Sequence, residues 1–574
     1  MSGIVGIMTK SERGQIGSQL KQMLEAMHHR GIDGAGFLIG GAVQRGRKLN
    51  QLNFSWIKGR MAIGHVGLAV AEGERDLQPL QSGDGRISLL LNGNLYNCAQ
   101  LRSEVKGDYE HKTGNDSEVI LHLVERHYHG DLETSVKEVL PALDGVYTLA
   151  VTDHKRVVLA RDKIGLRQLY YCSDDDHIAF ASEKKSLIAI SGRYPEIHRL
   201  VPGHMAILDG TSIRHFRFWS PESVRQADRI KDMEEALQAY GRVIFEAIRK
   251  RLDGRERVGI IFSGGIDSLL MAYLVKRLEI PHTCYTAGRG YQAADVGWAS
   301  RLAKQFGFPL KTKRLTVDDI EEVLPEIIGT IEDHSLNQVE AAVALYVSAR
   351  MAEEAGEQVI VTGQGPDEIF GGYSWYSAVV DREGYDSFER YSWEDTLLGY
   401  KETFERENKI ATALGLQMSV PYVDPDVIGV AFRISPELKI KRGNDQIQKR
   451  IHREYAVSIG IPEEIAFRKK VAAQHGANIH TALEELANRT GVTESVLREV
   501  GYDPNRSVVE TLGSSSRYGF RYGDHHLWKP LSHVQYYLDA HAANLNLLPP
   551  GSRIHWDETT RRLKAKGAMK RGGV

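Results

Sequence analysis

The chain has 574 residues, more than one ordinary hydrophobic core organises, so at least two domains are expected. Its 73 Lys and Arg stand against 75 Asp and Glu, and a net charge of -2 offers no general field for nucleic acid or an acidic membrane. Cys98, Cys172 and Cys284 lack any CxxC spacing, no apolar run approaches a membrane span, and Lys10, Glu12 and Arg13 fall where a signal peptide would stay apolar. These features argue against a zinc site, a disulfide framework or export, and a cytoplasmic protein is expected.

In chain order, short β-rich runs at 3–8, 61–70, 87–92, 146–152, 157–160 and 178–181 are interspersed with helical patterns at 16–28 and 116–127. Strands in two layers with covering helices are therefore expected over a first domain, residues 2–212. A polar stretch at 220–231 marks the boundary. A second domain, residues 233–480, then alternates strand and helix: 258–262, a helix from Leu269, 283–286, a helix over 293–306, 310–315, a helix over 340–354, and 359–362. That order predicts a doubly wound sheet with its ligand beyond the carboxyl ends of the strands. Residues 481–574 read as an extension ending in a basic tail, Arg561 to Lys566 and Lys570-Arg571, a solvated end rather than a nucleic-acid arm.

The most informative segment is Ser263-Gly264-Gly265-Ile266-Asp267-Ser268, set between the apolar run 258–262 and a helix. Adjacent glycines let the backbone approach an anion, the helix start presents unpaired amides, and the serines add hydroxyls. Asp267 among phosphate oxygens requires a cation and reads as a Mg²⁺ ligand. No Lys follows the glycines as in a Walker loop, and the glycine spacing is not that of a dinucleotide fold. The segment resembles the PP-loop of ATP pyrophosphatases, which activate a carboxylate as an adenylate.

Further segments resemble the asparagine synthetase family. In the first domain they are Ser2-Gly3-Ile4-Val5-Gly6, His29-Arg30-Gly31, Gly64-His65, Asn92-Gly93-Asn94-Leu95-Tyr96-Asn97, Gly114-Asn115-Asp116-Ser117-Glu118, Arg161-Asp162 and Gly165. In the second they are Gly363-Gln364-Gly365-Pro366-Asp367-Glu368, Val420-Pro421-Tyr422-Val423-Asp424 and Phe467-Arg468-Lys469-Lys470. The resemblance implies an Ntn-hydrolase-like αββα sandwich (α+β) followed by a doubly wound α/β synthetase domain that uses ATP and Mg²⁺. It places Ser263, Gly264, Gly265, Asp267, Ser268, Gly363 and Gly365 on the nucleotide, Asp267 and Asp367 on the metal, and Lys470 on phosphate and developing negative charge.

Departures from the family pattern bear on function. Position 2, where the family has a nucleophilic cysteine, is Ser2, a much weaker nucleophile. The arginine that clamps the glutamine carboxylate falls at Gly67, and an acidic residue falls at Asn94. Asn92, Gly93 and Asp116 persist as remnants, so glutamine hydrolysis is expected to be lost. In the second domain Gln364 replaces an acid credited with steering ammonia. Glu407 matches a catalytic glutamate of β-lactam synthetase, or is a surface residue paired with Arg406 and Lys409. The residues that hold aspartate correspond to Asn337 and Glu340, which reverses the charge offered to a substrate.

The expected reaction is ATP-dependent amide formation from a small carboxylate and ammonia or an amine. Asparagine synthesis, an amide synthetase or cyclase on another acid, and a retired scaffold all stay open, as does a homodimer. Membrane and nucleic-acid partners are not expected.

Overall fold

The computed structural model describes residues 2–10, 16–55, 59–67, 77–107, 109, 111–191, 196–220, 228–290, 293–443, 445–469, 476–491, 497, 532–547, 554–557 and 562–565. They divide into two compact units, Met1–Ser223 and Val224–Val574.

The first unit holds thirteen strands: β1 (Ser2–Thr9), β2 (Gly34–Ile39), β3 (Ala42–Gly46), β4 (Met61–Gly67), β5 (Leu80–Gln81), β6 (Ser88–Leu95), β7 (Gly145–Thr152), β8 (Val157–Arg161), β9 (Tyr170–Ser173), β10 (His177–Ala181), β11 (His198–Arg199), β12 (His204–Leu208) and β13 (Ile213–Arg217). They form two antiparallel sheets, in the orders β11-β9-β10-β1-β4-β2-β3 and β13-β12-β8-β7-β6-β5. Every residue of β1 is buried, because both faces of its sheet are covered. Ile4 and Met8 face the second sheet, where they pack with Leu90, Ala150 and Leu159. Val5 and Ile7 face the other way, onto Leu20 and Leu24 of the helix Ile16–Ala26. On the second sheet Leu89, Leu91, Leu149 and Val151 point outward onto Leu101, Val119 and Val136. Those residues lie on the helices Cys98–Val105, Asp116–His127 and Leu132–Val139. The period-two alternation of each central strand thus feeds two cores, and the layers are helix, sheet, sheet, helix. Fully burying one such Leu or Ile contributes about 1.5–3 kcal/mol.

The main sheet of the second unit has five strands: β14 (Val258–Ile261), β15 (His282–Arg289), β16 (Leu310–Leu315), β17 (Val359–Val361) and β18 (Gln417–Ser419). All pair in parallel, in the order β16-β15-β14-β17-β18. Strand order reverses beside β14, so the loops after β14 and β17 open side by side at one carboxyl edge, where a doubly wound sheet binds its ligand. Edge strand β16 exposes Lys311, Lys313 and Arg314, charges that discourage pairing with another chain. The helix after β14 begins at Ile266 rather than Leu269, and the helix expected from Glu340 begins at Leu336.

Residues expected to form a separate extension contribute helices Ile479–Arg489 and Ser532–Asn544 to this second unit. The Gln535 amide donates to His334 O at 2.9 Å and its oxygen accepts from Leu336 N at 3.0 Å, which ties the late helix to the start of the helix Leu336–Glu354. The last part of the basic tail, 566–574, lies outside the described residues. No helix among the described residues is long and apolar enough to cross a membrane.

Candidate active site

The glycine loop joins β14 to the helix Ile266–Arg277, whose first turn has no side-chain cap. Its leading amides are left for a ligand or water. Gly264 has φ +74°, and a Cβ there would stand 2.7 Å from the Ala299 backbone nitrogen, so the turn requires glycine. Ser263 Oγ accepts from Gly265 N–H at 3.3 Å and lies 3.3 Å from Ser268 Oγ, which brings both hydroxyls to the mouth of the loop. Gly363, from the loop after β17, packs against the same turn; a Cβ there would lie 3.0 Å from Ser268 N. Gly365 has φ +114° and lies against Val423, which sets the turn that presents Asp367.

Asp267 and Asp367 converge, and the cation between them belongs to the protein. Lys449 Nζ donates to Asp267 Oδ1 at 2.8 Å and Oδ2 at 2.6 Å, and lies 2.9 Å from Asp367 Oδ1. The lysine is fully buried, whereas the two carboxylates keep 16% and 18% side-chain exposure toward the cavity. His452 Nε2 stands 3.2 Å from Asp267 Oδ1, and its Nδ1 meets Tyr240 OH at 2.8 Å. Burial pushes this imidazole below its ordinary pKa, outweighing the pull of Asp267. Reading both aspartates as metal ligands alone is therefore incomplete. Two carboxylates with open faces still form the hard-oxygen donor set that Mg²⁺ takes, so the residues fit the ion.

A single cavity is lined by Ser263, Gly265, Asp267, Ser268, Gly363, Gln364 and Asp367, and also by Glu340 and Glu407. Glu407 is 2% exposed, not a surface ion-pair residue. It accepts from Thr362 Oγ1 at 3.1 Å and from the Gln364 side chain, with Arg406 3.7 Å away. Burial nevertheless raises its pKa above the ordinary carboxylate value. Lys409, expected as its neighbour, turns instead to Glu332 at 2.7 Å and Glu405 at 3.2 Å. Glu340 is 1% exposed and bonds His480 Nδ1 through Oε1, which raises the imidazole pKa, while Oε2 has no hydrogen-bond partner. Asn337 is exposed and not among the lining residues, so of the two expected substrate contacts only Glu340 reaches the cavity. Lys470 lies outside the described residues, but Lys469 lines the cavity.

Several residues here were given no role from sequence. Arg468 donates to Gly264 O at 2.7 Å and lies 3.9 Å over the Trp298 ring. Arg453 is buried beside the cavity, where it donates to Gln448 O at 2.9 Å and to Arg468 O at 2.9 Å. Lys449 sits in no recognisable local motif; the one available signal was that Asp267 needs a positive partner.

In the first unit Ser2 Oγ donates to Leu91 O at 3.2 Å and approaches Asn92 Oδ1 at 3.3 Å. Gly93 has φ +156°, and a Cβ there would meet Val146 O at 2.1 Å. Asp116 accepts from Leu95 N–H at 2.8 Å, further along the strand that carries Asn92. Gly67 pairs with Ser2 across β1 and β4, and on its face toward the second sheet the His65 ring lies 2.5 Å from where a Cβ would stand. Burial lowers the His65 pKa to about 3, so the ring is neutral.

Residues 1–201 match the family model for a glutamine amidotransferase domain, and residues 239–385 and 379–539 match that for asparagine synthase. The chain belongs to the asparagine synthetase family. A Methanocaldococcus jannaschii protein assigned as a glutamine-hydrolyzing asparagine synthetase is 29% identical over 546 residues, covering 87% of this chain and 98% of its own. The glutamine-hydrolyzing asparagine synthetase 1 of Saccharomyces cerevisiae is 27% identical over 483 residues, covering 75% and 80%. Among solved structures, the glutamine phosphoribosylpyrophosphate amidotransferase of B. subtilis is 20% identical over 75% of this chain and 92% of its own, with a TM-score of 0.36. Membership of the asparagine synthetase family rests on the sequence matches and makes this an ATP-dependent ligase with an amidotransferase-type first domain.

Proposed function

We propose that the protein forms an amide by activating a carboxylate as an acyl adenylate, releasing pyrophosphate, and passing the acyl group to ammonia or an amine. The observation that carries this reading is that the glycine loop, Asp267, Asp367 and Glu407 border one cavity, with the two aspartates joined behind it by the buried Lys449. In the first step a carboxylate oxygen attacks the α-phosphorus of ATP, and the bond to the bridging oxygen breaks. The serine hydroxyls and the leading helix amides are arranged to take the charge that gathers on departing pyrophosphate, while Lys449 holds the two aspartates in place behind them. Asp267 and Asp367 would hold Mg²⁺, which when bound neutralises phosphate charge.

In the second step nitrogen attacks the acyl carbon, the bond to the adenylate oxygen breaks, and the nitrogen must shed a proton. Glu407 is the acceptor: a buried carboxylate with a raised pKa is a stronger base than an exposed one. Gln364 cannot accept a proton at neutral pH and orients Glu407. Lys470 is retained as a phosphate contact on family resemblance alone.

A second reading concerns the acid. Glu340 offers the cavity a buried carboxylate oxygen without a partner, which repels the side-chain carboxylate of free aspartate and suits an acid bearing a hydrogen-bond donor or cation. In the first unit the Ser2 hydroxyl and the covered face of Gly67 support the loss of glutamine hydrolysis. Incubation with candidate acids, ammonia or glutamine, and labelled ATP tests these points through pyrophosphate release. Aspartate-dependent release with ammonia identifies asparagine formation; release only with other acids identifies the second reading. Failure of Mg²⁺-ATP to bind in a thermal-shift titration, or nucleotide retention unaffected by Asp267→Asn, sinks the ligase reading.

A further inference from the structure

We propose that the N-terminal unit carries a binding site for a divalent transition-metal ion of the zinc class, formed by His111, Glu118 and His122. One donor atom from each residue lies within 4.8 Å of the other two, the one such cluster of three among the described residues. Glu118 and His122 are one turn apart on the helix Asp116–His127, which Asn115 caps by accepting from Ser117 N–H at 3.0 Å. His111 arrives from the preceding segment, and Glu118 itself holds that segment in place. Its Oε1 accepts from Lys112 N–H at 2.7 Å, while Oε2 accepts from Thr113 N–H at 2.9 Å and Thr113 Oγ1 at 2.8 Å. The carboxylate is thus anchored between the two imidazoles, with His111 Nδ1 3.9 Å from Oε2 and His122 Nε2 3.8 Å from Oε1.

The imidazoles are the unusual element. All four ring nitrogens of His111 and His122 are buried and none makes a hydrogen bond of ordinary length within the protein; His122 Nδ1 has a long contact of 3.6 Å to Glu125 Oε2. Leaving buried polar atoms unsatisfied destabilises a fold, so ring nitrogens clustered in this way point to a bound group. Tyr109 stacks on the His122 ring at 4.5 Å and the His111 ring meets it edge-on at 5.3 Å, so both imidazoles are held in a packed aromatic wall.

Two imidazoles and a carboxylate are the donors of a His2Glu zinc site, and nitrogen donors favour zinc, nickel or copper over magnesium and calcium. Donors about 2.0–2.2 Å from a tetrahedral ion stand roughly 3.4 Å apart, so side-chain rotations would have to draw in three donors that now lie within 4.8 Å of one another. Glu125 is placed to bond the outer nitrogen of His122 or to supply a fourth ligand. The bound ion would clamp the loop before Asp116 onto its helix, a structural role independent of the ligase cavity.

The full-length protein, stripped with a chelator and held in excess Mg²⁺ to occupy the ligase site, is titrated with Zn²⁺ by calorimetry and with Co²⁺ by visible absorption. One equivalent should bind, giving a cobalt spectrum of low coordination number with two nitrogen donors and raising the melting temperature. His111→Phe and His122→Gln should each weaken binding at least tenfold and leave Mg²⁺-ATP binding unchanged. Should either variant fail to fold, X-ray absorption on the zinc-loaded wild type reads the two imidazoles directly. No zinc bound, equal binding in folded variants, or a coordination shell without imidazole overturns the site.

Discussion

Lys449 meets Asp367 at 2.9 Å because position 372 is glycine: a Cβ there would lie 1.9 Å from Asp367 Oδ1 and 2.1 Å from Lys449 Cε. The same ammonium holds Asp267, so one buried lysine joins the glycine loop after β14 to the loop after β17. Replacing it leaves two carboxylates facing each other at the edge of the cavity. Lys449→Met should reduce pyrophosphate release by at least a hundredfold and destabilise the second unit by about 3 kcal/mol. Gly372→Ala should reproduce the kinetic loss in milder form. Steady-state assays and urea unfolding check both, and near-normal turnover in Lys449→Met would remove the lysine from the site's chemistry.

Glu407 should act after adenylation, not during it. Glu407→Gln is expected to leave acid-dependent exchange of labelled pyrophosphate into ATP within a few fold of wild type, while amide formation falls about 10²-fold or more. Equal loss in both assays would make it a positioning residue for the nucleotide.

The amidotransferase-type unit is expected to need more than its missing thiol. Ser2→Cys restores a nucleophile but not the carboxylate clamp, whose place at Gly67 lies under the His65 ring. Glutamate release from glutamine by Ser2→Cys should stay at background. Substantial release would show that the serine alone silences the site.

A pH effect on stability comes from Glu368. Burial, reinforced by the neighbouring Asp367 charge, pushes its carboxyl from 4.5 up to about 7, although Tyr373 OH donates to Oε1. A raised acid pKa means the folded state binds the proton more tightly than the unfolded one. Stability contributed by this group is therefore full below about pH 4.5, declines as pH rises toward 7, and is flat above. Glu368→Gln removes the ionisable group, so its urea midpoint should fall less than that of wild type between pH 5 and pH 8. A parallel decline in both proteins would exclude Glu368 as the source.

Local sequence was enough to place the glycine loop, because such a loop between an apolar strand and a helix specifies its own backbone. Both layers of the first unit were legible for a similar reason: the alternation in β1, β6 and β7 encodes two buried faces within a few residues. Glu407 was visible as an acid, yet its neighbours Arg406 and Lys409 suggested a surface helix. Only packing against Thr362 and Gln364 turned it inward. Asn337 and Glu340 looked like equivalent substrate contacts in sequence, but the helix that bears both leaves the first exposed.

By itself, then, the sequence determined the family, the two kinds of sheet and the place of the glycine loop, because each is written in short-range pattern or in motif order. The tertiary structure alone decided that Lys449 is the cation between Asp267 and Asp367, that the His65 ring covers Gly67, and that Glu340 faces the cavity beside Glu407. Those contacts join residues far apart in the chain, and their energies arise from burial and charge proximity, which exist only once the strands and helices have packed.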